Sequence, residues 1–482
     1  MRNKFIKQYL KWVFLILCVT DALFYVNYLN LRTMGIVKLV PQVALILGLL
    51  AFAFSKHLFS KPHFRMATIF LLWATFGILR GMFNVQGYWG YRGWLGCVVS
   101  VLSFLWVYVL ASPGMSTLML RTWNRYFAPF FLLLCSWAIP LGRLAFLLTP
   151  VSYFYGAFLR ILQKNKWPLI IVGVTLVILL FGITNRSAVL KVIFILGLAL
   201  SLWFNRQIAE GLYKLSHTLF YFLPILFLAL GLSGTFNIFK VFAEEDTGST
   251  RVKELVLEES ASGKDQLTTD TRTHIYKQVI SSARHRNYYL FGCSVGRGHD
   301  WNVKSDIKAA REHGLPYVER LQDETGLPNI FTWLGIVGLI LYSGLFFQAS
   351  WLGLYRSRNI YVKALAVAVA FHWLFGWLEE SNNFAPIDFS LFLLLGLCLS
   401  PDFRRMSDVE FRLWFRSLFT SGKKVSPYDK FQVLKLLVVL KVAQRLSQKK
   451  AEAAGGAAPV AGAAATPAGS NLPPVTPALP QS

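Results

Sequence analysis

Apolar runs close to twenty residues long recur through this chain, and a single polar stretch of nearly ninety residues, 240–328, interrupts them. Each run can cross about 30 Å of hydrocarbon as a helix. Lipid offers no partner to an unpaired backbone N–H or C=O, and runs this long and evenly apolar suit helices rather than barrel strands. The pattern points to an all-α polytopic membrane protein whose titratable groups are gathered in one segment outside the lipid. Composition agrees: of 482 residues, 55% are hydrophobic and 15% aromatic, with mean hydropathy +0.48.

Candidate spans fall at 10–30, 37–54, 66–84, 93–112, 126–142, 144–162, 167–183, 188–205, 217–238, 329–354, 362–378 and 386–400, about twelve transmembrane helices. Residues 126–163 exceed one helix, and Pro140, Gly142 and Arg143 punctuate them, so they divide into a tight hairpin. Arg2, Lys4, Lys7 and Lys11 resemble a signal n-region. Asp21 and Tyr25 occupy the place of a cleavage site, however, and the first helix reads as uncleaved. With the N-terminus cytoplasmic, the inner connections hold Lys56, Lys61, Arg65, Arg121, Arg125, Arg160, Lys164, Lys166, Arg206, Lys214, Arg356, Arg358 and Lys363. The short outer ones hold only Arg32, Lys38, Arg80, Arg92, Arg143 and Arg186. That asymmetry supports the divided hairpin, puts both termini in the cytoplasm, and turns the polar loop between spans nine and ten outward.

The chain thus divides into membrane helices over 1–239, an outer loop with amphipathic helices over 240–328, and further membrane helices over 329–400. A basic cytoplasmic segment follows at 401–450, then an Ala/Pro-rich tail at 451–482, expected to be disordered. The formal charge of +25 sits mostly in short loops and in the basic segment, where topology accounts for it, so nucleic acid is excluded as a partner. Four cysteines (Cys18, Cys97, Cys135, Cys398) fall in spans and only Cys293 in the loop. No zinc-ligand spacing occurs, and neither a metal nor a cofactor is expected.

Three elements could carry chemistry. Arg186 opens the hydrophobic helix of GITNRSAVLKV after two capping residues; it is either an anion site at a helix N-terminus or an interfacial arginine reaching toward water. Within the loop, helical periodicity runs from Thr271 to Tyr289 with Ile275, Val279 and Ile280 on one face, and Arg272 stands one turn before Tyr276. A second amphipathic helix is expected over 302–324. The turn LFGCSVGRG, with Gly292, Gly296 and Gly298, reads as a tight loop with exposed N–H groups or as an ordinary surface turn. Where the loop re-enters the membrane, LQDETGLPNIFTWLGIVG sets Asp323 and Glu324 above the span; solvated loop carboxylates are the plain alternative.

In this order, these elements resemble the O-antigen ligase and O-antigen polymerase family of bacterial membrane glycosyltransferases, over about 180–345. TNRSAVL is similar to the family's Arg-containing element, Arg272 with Tyr276 to its Arg-x-x-x-Trp helix, LFGCSVGRG to its Leu-x-Gly-x-Gly turn, and PNIFTWLGIVGLI to its motif ending Gly-Ile-x-Gly. The resemblance implies a GT-C-like fold in the bacterial inner membrane and an undecaprenyl-type polyprenyl-diphosphate-linked glycan as donor. It implies a glycan or lipid A–core acceptor, with transfer at the periplasmic face in lipopolysaccharide or other polysaccharide biosynthesis. Arg186 and Arg272 would then clamp the diphosphate, and two guanidiniums suit a departing diphosphate without a metal. The chain departs from the family at the base. Counting back from Gly335 reaches Glu324 where a histidine is usual, so Glu324 or His313 is the expected catalytic base. Arg297, His299 and Asn329 are further candidates for touching substrate.

Other polar residues have simpler readings. His372 reads as a bonded histidine of the bundle interior, and Glu379 or Glu380 could face the site. Tyr88, Trp89 and Tyr91, beside Arg80 and Arg92, suit an interfacial aromatic belt. The competing function is a multi-span transporter or flippase of lipid-linked oligosaccharide.

Overall fold

Helices follow the apolar runs. The structure, a computed structural model, describes residues 2–24, 35–128, 151–159, 166–181, 186–232, 271–300, 319–379 and 389–419, within a body spanning Met1–Phe419. Its first half holds α1 (Arg2–Phe24), α2 (Gly35–Ser55), α3 (Arg65–Asn84) and α4 (Gly87–Leu102), which continues to Leu110 through a 3-10 turn. Then come α5 (Pro113–Thr122), α6 (Lys166–Phe181), α7 (Arg186–Ser201) and α8 (Arg206–Leu232). After α9 (Thr271–Arg286), two short strands, β1 (His299–Asp300) and β2 (Glu319–Arg320), pair antiparallel with His299 opposite Arg320. The chain closes with α10 (Gly326–Tyr355), α11 (Ile360–Phe375), α12 (Phe389–Leu399), α13 (Pro401–Arg405) and α14 (Asp408–Ser417).

Among the described residues, three helices are long and apolar enough to cross a membrane: Pro62–Asn84, Gly87–Leu110 and Gly326–Tyr355. Leu39–Ser55, Leu169–Leu179, Val189–Ser201, Ile360–Phe375 and Phe389–Leu399 are shorter apolar helices. The chain is therefore mostly helical and membrane-associated in character. Most of the expected hairpin at 126–162 and all of 243–270 lie outside the described residues. Two expectations need correction. In the stretch 302–324 expected to be helical, residues 319–320 are strand, because Glu319 and Arg320 pair with β1, and an open turn follows. On α9 the buried face is Ile275, Val279, Ser282 and Ala283, while Ile280 is exposed, one position off a stripe set by spacings of three and four.

The core is aromatic. Phe70, Phe104, Tyr342, Phe346 and Phe392 meet edge-on or tilted, and Phe14 packs on Trp106 and Phe389. Phe158 stacks on Phe415 at 4.2 Å, so the first part of the basic C-terminal segment belongs to the bundle.

The hairpin of α10 and α11 gives the bundle two distinct ends. At one end, Arg206 bonds Glu210, Asp408 and the carbonyl of Arg358, Lys363 joins Glu210 at 2.8 Å, and Arg358 N–H donates to Arg404. At the other end, the amides of Gly326 and Leu327 at the start of α10 donate to Gly376 just beyond α11. The soluble residues 271–300 and 319–325 lie at this second end.

Candidate functional site

The glycine-rich turn is built around a break in α10. Gly335 has φ 69° and ψ −169°, which interrupts the helical ladder and strips carbonyls of their usual partners. Those carbonyls find others: Thr332 accepts from Cys293 N, Trp333 from Ser294 N, and Leu334 from Trp73 Nε1 at 3.0 Å. In return, Ile336 N donates to Tyr289. Any side chain at Gly335 would overlap the Leu290 carbonyl, and one at Gly292 would overlap the amide of Leu334. The N–H groups of Cys293, Ser294 and Val295 are therefore occupied by helix carbonyls and are not open to an anion. Nor is it an ordinary surface turn. It is the insert that lets a broken helix stand with its backbone satisfied.

One buried carboxylate fixes the other side of the same loop. Glu319, with a side chain 3% exposed, accepts from Arg286 at 2.6 Å, from Arg297 through two nitrogens, and from Gly298 N. Arg286 also reaches Asp300 and the carbonyl of Gly298, and donates to Cys293 Sγ at 2.9 Å. Arg297, a candidate for touching substrate, is thus engaged as a fastener, with Asn84 O as a further acceptor. Burial pushes the Cys293 thiol up to about 12 despite Arg286 beside it, which keeps it protonated and unreactive.

His299 and Asp323 form a buried pair beneath the strands, with Nδ1 and Oδ2 3.4 Å apart. Burial lowers the imidazole to about 4 and raises the carboxyl to about 7, the latter opposed by Arg320 at 3.2 Å. Both groups move toward their neutral forms, as desolvation dictates. Asn329 staples this turn to the helix: its Oδ1 accepts from Asp323 N at 2.6 Å and its Nδ2 donates to Asp323 O at 3.0 Å. Trp333 Nε1 secures Leu321 O in the same way. Asn329 therefore holds the backbone that presents the acids. Glu324, next in the chain, turns outward with a side chain 67% exposed, 3.8 Å from Arg320.

The four residues Gly376–Glu379 bring the separate elements together. The amides of Gly326 and Leu327 bind the carbonyls of Gly376 and Glu379, which anchors the start of α10. Tyr276 on α9 stacks on Trp377 and donates to its carbonyl at 2.8 Å. Lys191 on α7 meets Glu379 at 2.5 Å, both side chains largely buried. Arg272 lies one turn before Tyr276, about 6 Å along the helix, and Arg186 lies about 7.5 Å before Lys191. The structure gives these two arginines by their backbone positions, in the first turns of α9 and α7. The second turns of α7 and α9 and the first residues of α10 thereby contact one short turn, with the helix starts that carry Arg186 and Arg272 one to two turns away.

The other expected residues fall variously. His313, Glu380, and residues 301–318 generally lie outside the described residues. His372 is not the bonded histidine expected: its Nε2 is buried without a hydrogen bond among the described residues, its ring 6.4 Å from that of Tyr153. Lys191 and Glu319 went unremarked in the sequence. Lys191 had a signal, being the sole charge in the apolar run 188–205. Glu319 had none, since its partners are 21 or more residues away. No cluster of His, Cys, Asp or Glu that could hold a metal occurs among the described residues. No family model, curated protein or solved structure matches this chain.

Proposed function

We propose that this protein is a membrane glycosyltransferase that moves a glycan from a polyprenyl diphosphate to a glycan or lipid A–core acceptor. It would act as an O-antigen or exopolysaccharide polymerase or ligase, at the face of the inner membrane that bears residues 271–325. The observation that carries the reading is the Gly376–Glu379 turn, which ties α7, α9 and the start of α10 together. Three of the four motifs that resemble the O-antigen ligase and polymerase family, those of Arg186, of Arg272 with Tyr276 and of Gly335, belong to these same helices. Arg186 and Arg272 would grip the diphosphate, aided by helix N-termini that favour anions. The acceptor oxygen would attack the anomeric carbon as its bond to the diphosphate oxygen breaks. The acceptor proton would pass to Glu324 or His313, of which Glu324 is exposed to a substrate at the interface. Asp323, buried against His299, would shape that turn.

Two observations favour a second reading, transport of a lipid-linked glycan. A buried ion pair, Lys191–Glu379, and a broken helix are both features that transporters use. The experiment separating the two is the surface polysaccharide of a host lacking its own gene, complemented with Arg186→Ala or Arg272→Ala. Transfer predicts loss of glycan at normal protein level, with lipid-linked donor accumulating on the outer leaflet. Normal glycan in both variants would reject the arginine clamp, and donor trapped on the inner leaflet would favour transport.

A further inference from the structure

Away from the Gly376–Glu379 turn, a groove of about 570 Å³ opens where α3 meets the glycine turn, lined by Arg80, Asn84, Arg286 and residues 287–293. Its two guanidiniums flank the Gly292–Cys293 peptide, Arg80 donating to Gly292 O at 2.5 Å and Arg286 to Cys293 Sγ. They differ in charge balance. Arg286 is matched by Glu319 and Asp300. Arg80 has no carboxylate within ion-pair distance among the described residues, and its hydrogen bonds there, to Phe291 O and Gly292 O, use one nitrogen only. Its Nε is buried without an acceptor. A guanidinium presents five donors, so most of this one's capacity is unmet.

Below the groove, α3 shows a continuous apolar stripe. Ile69, Leu72, Phe76, Leu79 and Phe83 recur every three or four residues and are all exposed, Leu72 by 66% and Phe83 by 83%. This helix is one of the three long enough to cross a membrane, and Arg80 stands one turn before its end, over Phe76 at 5.9 Å. Acyl chains lying along the stripe would bring a headgroup level with Arg80. Charge and stripe together suit a ligand with an anionic head and hydrocarbon tails.

We infer that this groove binds the phosphate headgroup of a membrane lipid, with Arg80 as its anion ligand and the α3 stripe as the seat of its chains. The site is independent of the transfer reading. A phosphate could come from lipid or from solution, and the test separates these sources. The full-length protein is reconstituted in phosphatidylcholine bilayers containing a minority of phosphatidylglycerol, released into detergent, and its retained lipid counted by native mass spectrometry. Wild type should retain phosphatidylglycerol, Arg80→Lys should keep most of it, and Arg80→Gln should lose about tenfold, or about 1.4 kcal/mol. Arg80 also supports the turn, so Asn84→Asp provides a second variant. It puts a carboxylate one turn from Arg80 at the groove's rim, where it competes with an anionic headgroup for that guanidinium, and should also lower retention about tenfold. Equal retention in wild type, Arg80→Gln and Asn84→Asp would overturn the proposal. So would binding of inorganic phosphate at the groove with no retained lipid, which would make it a site for a soluble anion.

Discussion

The two ends of the α10–α11 hairpin handle charge in opposite ways. Where Tyr355 leads into Ile360, charges are numerous and shallow: Arg206 is 49% exposed while it bonds Glu210 and Asp408. Where Gly326 meets Gly376, several charges lie deep: Glu319, Asp323, Lys191 and Glu379 are all largely withdrawn from solvent, though Glu324 beside them is exposed. Exposed pairs are worth little and are what a cytoplasmic rim of basic residues would show. Buried ones are costly unless each has its partner, and they persist where a fixed geometry is needed. The number of charges in a segment thus speaks to topology, and their depth speaks to chemistry.

The contrast can be broken at the deep end first. Gly335→Ala should cost more than about 4 kcal/mol, because it combines a positive φ with overlap on the Leu290 carbonyl. Fluorescence-detected size exclusion should show little monodisperse protein; a normal yield would contradict the account of the kink. Lys191→Met should cost about 3–5 kcal/mol by leaving Glu379 buried and unpaired, whereas Lys191→Met with Glu379→Gln should restore most of the loss. Thermal midpoints in detergent would check this, and a double variant as damaged as the single would refute it. Asn329→Ala, which removes both bonds to the Asp323 backbone, should cost about 1–3 kcal/mol.

A smaller effect sharpens the comparison through pH. The folded Asp323 carboxyl titrates near 7, above the value of 3.8 expected when unfolded, so between these pH values the folded state holds the extra proton. Stability from this group therefore falls as pH rises from about 4 to about 7. His299, lowered from 6.5 to about 4, acts oppositely, removing stability as pH falls through that window. Asp323→Asn keeps the shape without the charge. It should raise the midpoint relative to wild type at pH 8, and the gain should shrink as pH falls and vanish below about 4. A gain independent of pH would show that Asp323 is not titrating there. At the shallow end, Arg206→Ala should change stability by no more than about 1 kcal/mol.

The sequence made some of this legible and hid the rest for definite reasons. Helices over the apolar runs could be read because lipid permits little else. The start of α9 within a residue or so of Thr271, and the buried Ile275 and Val279, followed from period alone. The break at Gly335 was hidden, because IFTWLGIVGLI reads as one continuous helix and the groups that repair the break lie some forty residues earlier, at Cys293 and Ser294. For the same reason the glycine turn read as a loop with exposed N–H groups or as an ordinary surface turn, whereas tertiary contacts occupy the amides of Cys293, Ser294 and Val295. Asp323 and Glu324 both read as carboxylates just above the span, with Glu324 the candidate base; the Asn329 staple and the strand at 319–320 send one inward and the other out. The Lys191–Glu379 pair joins residues 188 apart, a separation no local pattern reports.

The central claim is that α7 and α9 meet the Gly376–Glu379 turn in order to place Arg186 and Arg272 on one diphosphate. A double-mutant cycle tests it directly, using glycan transfer by the purified full-length protein from a polyprenyl-diphosphate donor, with Arg186→Ala, Arg272→Ala and the pair. Groups acting on one leaving group are strongly non-additive. The account predicts that each single variant loses at least about a hundredfold in rate, 2.7 kcal/mol or more, and that the double loses scarcely more than the worse single. Multiplying losses would mean two separate sites, and a wild-type rate in either single variant would contradict the claim outright.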